Sequence, residues 1–134
     1  MTLPEYLSAF AVLLIVCTFG VWVLWRKWQR HRLRGSSRVR VLRGWEQAMR
    51  RQDAFRMLME ADAVLDTLLT ELGYAGTLGE KLKKAGPYLP DLDAVWKAHK
   101  LRNRLAHEVG TPVPERELRE ALGTLEKTIR HFCG

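Results

Sequence analysis

"FRMLMEADAVLDTLLTEL", residues 55–72, decides the fold class. Phe55, Leu58, Leu65, Leu69 and Leu72 recur at helical spacing, and Asp62 is the one polar residue on that seam. A half-buried strand would need strict alternation of apolar and polar residues, and no stretch of the chain shows it. Gly73 stops the pattern. Backwards, it extends through Met49 and Trp45, as one long helix or as two helices broken near Arg51–Asp53.

Towards the C-terminus, "TLGE" (residues 77–80) has the form of a capping box, in which the Thr77 hydroxyl and the Glu80 carboxylate each serve a free backbone N–H of the first turn. A short helix should follow and end at "AGP" (85–87). A third pattern starts after "LPD" (89–91), with Asp91 or Asp93 in its first turn and Leu92, Val95, Trp96 and Leu105 or Ala106 facing inwards, and runs out at Gly110. After "TPVP" (111–114), Leu118, Leu122, Leu125, Ile129 and Phe132 share one face, with Glu115 and Glu117 at the positive end of the helix dipole. There is no internal repeat and no low-complexity tract. These features predict an all-α fold in which residues 45–134 form a small antiparallel bundle of about four helices. "RGSSR" (34–38) reads as the break before it, with residues 35–44 a linker running into the first helix.

Upstream, "LSAFAVLLIVCTFGVWVLW" (7–25) is nineteen residues without a charge. As a helix rising ~1.5 Å per residue it reaches about 28 Å, the thickness of a bilayer's hydrocarbon core. The alternatives are a cleaved signal peptide and a buried core helix. A signal peptide carries its basic residues in front, whereas here Glu5 precedes the run and "RKWQRHRLR" (26–34) follows it. Residues 1–34 are therefore read as a transmembrane anchor with a basic juxtamembrane segment. Arg26, Lys27, Arg30, Arg32, Arg34, Arg38, Arg40 and Arg43 face no acid in the stretch 26–43, which places the N-terminus outside and the C-terminal domain in the cytoplasm. Trp22, Trp25 and Trp28 at the exit and Tyr6 at the entrance suit headgroup depth.

That charge also explains the composition. The chain is +7 overall, but residues 44–134 hold fourteen Lys+Arg against fourteen Asp+Glu, so the domain is formally neutral. The basic excess needs no nucleic-acid partner: it sets topology and can touch anionic lipid headgroups. Cys17 within the apolar run and Cys133 at the penultimate position show no CxxC spacing. No metal centre is expected, since His99 and His107 lie eight residues apart, about 12 Å along a helix, without clustered carboxylates. Neither a Gly-rich phosphate loop nor a GxSxG elbow is present, so no cofactor is expected.

The remaining chemistry concentrates in "LRNRLAHE" (101–108). At ~100° per residue His99, Asn103 and His107 form one stripe, while Arg102 lies about 140° round the helix from His107. Arg102 and His107 can meet one ligand only if the helix ends or distorts between them, or if two chains contribute.

The stretch "AVWKAHKLRNRLAHE", followed by a proline-containing loop and an amphipathic last helix, resembles the HEPN superfamily of small all-helical domains, marked by Arg, four to six residues, then His. The likeness covers roughly residues 50–132 and is carried by Arg102 and Asn103 together, the Ala-His-Glu ending, and the position in the penultimate helix. It implies a homodimer with two copies of the motif facing each other, often as a metal-independent RNA-cleaving site and in other members as a binding or inert one. In a catalytic site His107 would move the proton of a ribose 2′-hydroxyl or of the leaving oxygen, Arg102 would stabilise charge on the phosphate, and Asn103 would orient His107 or the phosphate. The non-catalytic alternative is a dimeric module that docks a cytoplasmic protein partner or a small nucleotide at the membrane, with Arg104 paired to Glu108, His107 capping helix carbonyls and Asn103 bonding across the dimer seam.

Overall fold

The computed structural model describes residues 3–29, 31–108 and 110–134, with side chains for residues 6–25 and from His31 onwards except Val109. The side chains of Glu5, Arg26, Lys27, Trp28 and Arg30, used above for topology, lie outside that description. The chain falls into two compact units, one ending at His31 and one spanning Arg32–Gly134.

The first unit is a single helix, α1 (Leu3–Gln29). Its segment Tyr6–Trp25 is long and apolar enough to cross a membrane, and none of it is buried by the protein. Phe10, Leu13, Ile15, Phe19 and Leu24 are all more than half exposed, so the helix is not a core element of a soluble fold. Thr18 returns its hydroxyl to the carbonyls of Leu14 and Ile15, which satisfies its polar atom within the helix.

The second unit is a bundle of five helices: α2 (Gly35–Met49), α3 (Ala54–Glu71), α4 (Leu78–Ala85), α5 (Leu92–His107) and α6 (Glu115–Cys133), with a 3₁₀ turn at Gly86–Tyr88. No strand occurs among the described residues. Residues 35–44 belong to α2 from its first turn, so the break before the bundle is shorter than the sequence suggested. Gly35 takes a positive φ of 59° and turns the chain into the helix, and Ser37 donates to the Glu71 carboxylate at the far end of α3. The extended first pattern is two helices. Arg50 and Arg51 close α2, and the Asp53 carboxylate opens α3 by accepting from the backbone N–H groups of Phe55 and Arg56.

α3 is the hub and packs against α2, α4, α5 and α6. Its buried face comprises Leu58, Ala61, Asp62, Val64, Leu65, Leu68 and Leu69, wider than the seam read from the sequence, because neighbours cover it on several sides. Phe55, placed on that seam by its spacing, is instead exposed in the first turn. The Thr77–Glu80 capping box forms as predicted. Lys81, almost fully buried, reaches from α4 to Asp66 at 2.7 Å and Thr70 at 2.8 Å on α3. Leu125, Ile129 and Phe132 of α6 complete the core. Leu33, ahead of α2, joins it and donates its N–H to the Phe132 carbonyl at 2.9 Å.

Candidate functional site

α5 positions the motif. The Asp91 side chain caps its start by accepting from the Ala94 N–H, and Val95, Ala98, Leu101 and Leu105 fasten it to the core. This leaves His99, Arg102 and Asn103 on the flank that meets α3, where Asp62 is buried.

Asp62 and His99 form the centre. Both carboxylate oxygens lie within hydrogen-bond reach of His99 Nδ1, at 3.0 and 3.1 Å, with the Asp62 side chain only 5% exposed. Arg102 approaches the same carboxylate through Nε, 3.4 Å from Asp62 Oδ2. The pair is ionic without a hydrogen bond, and Nε is a buried donor with no hydrogen-bond partner among the described residues. Arg102 also donates from Nη1 to Asn103 Oδ1 at 2.9 Å, and the Asn103 amide nitrogen lies 3.2 Å from His99 Nε2.

The donors and acceptors fit together in one way. An ionised carboxylate only accepts, so His99 carries its hydrogen on Nδ1. Arg102 only donates, so the Asn103 oxygen faces it and the amide nitrogen must donate to His99 Nε2. Both imidazole nitrogens of His99 are thereby engaged. Its role is to hold Asn103 and, through it, Arg102. The Trp96 ring packs edge-on against His99 at a centroid distance of 6.0 Å and closes the other side. Above the network lies a shallow cleft of about 310 Å³ whose walls include Asp62, Asp66, Thr77, His99 and Arg102.

His107 stands apart. It is the last residue of α5, exposed, and its ring makes no hydrogen bond or ion pair among the described residues. The helix runs unbroken from Arg102 to His107, so the two side chains point about 140° apart in one chain. Arg102 and Asn103 are brought together and His107 is not. Asn103 does not orient His107, because its amide is spent on His99 and Arg102. Nor does Arg104 pair with Glu108: it crosses to Glu117 of α6 at 2.6 Å. Two residues to which the sequence analysis gave no role in the site, Asp62 and His99, hold it together. Asp62's polarity on an apolar seam and the i, i+4 spacing of His99 to Asn103 were the available signals.

No cluster of metal-ligating side chains occurs among the described residues. Comparison of the chain with family models, with curated proteins and with solved structures finds no match in any of the three.

Proposed function

We propose that this chain is a membrane-tethered HEPN-like module that acts on RNA at the cytoplasmic face, through a site completed by two copies of α5. The observation that carries this reading is the contrast between Arg102, held in place by Asp62, Asn103 and His99, and His107, solvent-exposed with both nitrogens available. A preorganised guanidinium and an imidazole free to exchange a proton are the groups that metal-independent phosphodiester cleavage needs. Since one regular helix separates them angularly, a second chain supplies the missing partner, and a two-fold axis along the membrane normal keeps both anchors in one bilayer. The apolar α1 followed by the basic run supports the anchor with its N-terminus outside, over a cleaved signal sequence.

In this site His107 takes the proton of the 2′-hydroxyl or returns one to the leaving oxygen, and Arg102 neutralises the charge that builds on the phosphate. Asn103 and His99 fix the guanidinium. The full chain in detergent or vesicles should cleave single-stranded RNA in the presence of a chelator, and His107→Ala should abolish it. Equal cleavage by both proteins would refute the reading.

A second reading is favoured by one observation: Arg102 lies against Asp62 within residues 44–134, a stretch that is formally neutral and attracts a polyanion weakly. On that reading the dimer docks a cytoplasmic protein partner, and RNA is left intact.

A further inference from the structure

Six exposed positions recur along one stripe of α2: Ser36, Val39, Arg40, Arg43, Gln47 and Arg50 at its C-cap. Val39 is 49% exposed, one of few large apolar side chains of the bundle left in solvent. Arg43 and Arg50 have no ion-pair partner among the described residues, while Arg40 reaches Glu71. Glu46 is the one acid on this exposed side of α2. Alongside runs a groove of about 640 Å³ between α2 and α3, floored by Val41, Val64 and Gly44 and flanked by Val39, Arg40 and Arg43. An apolar floor with a guanidinium rim matches the interface of a phospholipid layer, where phosphate lies next to hydrocarbon.

The occupant follows from charge and chain length. The positive excess of the chain is confined to residues 26–43, and Arg38, Arg40 and Arg43 of that stretch lie on α2. Nine residues separate Trp25 from Gly35, and since α1 continues to Gln29 they span at most about 27 Å, so a membrane holding Tyr6–Trp25 keeps α2 within reach of its surface.

We infer that the Val39–Arg40–Arg43–Arg50 face of α2 docks on an anionic phospholipid surface, with headgroup phosphates at the guanidinium groups and Val39 dipping into the interface. The inference rests on the membrane anchor proposed above. Docking would set the height and tilt at which the dimer presents α5, making activity at the membrane dependent on lipid charge. Each arginine near such a surface should change the ratio of docked to undocked domain about fivefold.

The test uses the full chain carrying Cys17→Ser and Val39→Cys, labelled at position 39 with an environment-sensitive dye. It is reconstituted in vesicles of phosphatidylcholine with or without phosphatidylglycerol. Cys133 is buried and does not compete for the label. In phosphatidylglycerol vesicles the emission should shift to the blue and resist acrylamide quenching. High salt or Arg43→Glu should reverse this, and a label at Lys127→Cys on α6 should stay accessible throughout. Flotation with both kinds of vesicle and an unchanged probe would overturn the docking face while leaving the anchor intact. Failure to float would overturn the anchor, and the docking with it. Shielding by single-stranded RNA in phosphatidylcholine vesicles, with none from phosphatidylglycerol alone, would reassign the face to nucleic acid and also overturn the inference.

Discussion

Asp62→Ala removes the group on which the α3–α5 network is built. The loss leaves the His99 Nδ1–H, on a side chain only 13% exposed, without its acceptor, at a cost of about 1–3 kcal/mol for an unsatisfied buried donor. Arg102 loses the carboxylate it pairs with, but its side chain is 31% exposed, so solvent limits that contribution to about 1 kcal/mol or less. The sum is about 1–4 kcal/mol, a substantial share of the ~5–15 kcal/mol that holds an ordinary domain together. Urea unfolding of residues 32–134, followed by circular dichroism, should show the midpoint falling by about 0.5–2 M at an ordinary slope. His99→Ala should cost less, since it leaves the carboxylate the Arg102 guanidinium. The double variant should fall short of the sum of the two by about 1–2 kcal/mol, because each change already breaks the shared bond. An Asp62→Ala midpoint within error of the parent, or strict additivity, would refute the network as a stabilising unit.

Three further expectations test other parts of the fold. The hydrogen bond from Ser37, with the Arg40 charge beside it, holds the Glu71 carboxyl below its ordinary 4.5. A carboxylate depressed on folding stabilises above its unfolded value and loses that contribution as pH falls through the folded value, so the α2–α3 clamp should weaken below about pH 4.5, and Glu71→Gln should flatten that part of an acid-unfolding curve. Burial pushes the Cys133 thiol up despite nearby Arg38, so in a Cys17→Ser background iodoacetamide should label it at the rate of unfolding. Starting the soluble fragment at residue 38 instead of 32 removes Leu33, its bond to Phe132 and the Ser37–Glu71 bond, and calorimetry should show a loss of about 3 kcal/mol.

The helices could be read from spacing because each buries a stripe wide enough to repeat: Leu58, Leu65 and Leu69 on α3 and Leu125, Ile129 and Phe132 on α6 lie inside as their periodicity implied, with Leu118 and Leu122 half-buried against the core. Caps were equally local, and Thr77, Glu80 and Asp91 act where their positions suggested. The start of α2 was hidden by Gly35 and two serines, residues that mark loops but also suit the first turn of a helix. Phe55 matched the period yet lies outside, because a first-turn residue extends beyond the helices that cover α3. In the candidate site the sequence supplied Arg102, Asn103 and His107 but not their grouping. That depends on Asp62, forty residues before Arg102 and on another helix, and no periodicity reports a contact of that kind.

A site shared between chains is tested most directly by complementation. Arg102→Ala and His107→Ala, each expected to be inactive alone, are co-expressed in the chain of 134 residues and assayed for RNA cleavage with a chelator present. If Arg102 of one chain works with His107 of its twin, a mixed dimer retains one intact site. Random pairing then restores about a quarter of parental activity. Activity no higher than that of either variant alone, from a preparation in which mixed dimers are shown by cross-linking to be present, would contradict the composite site.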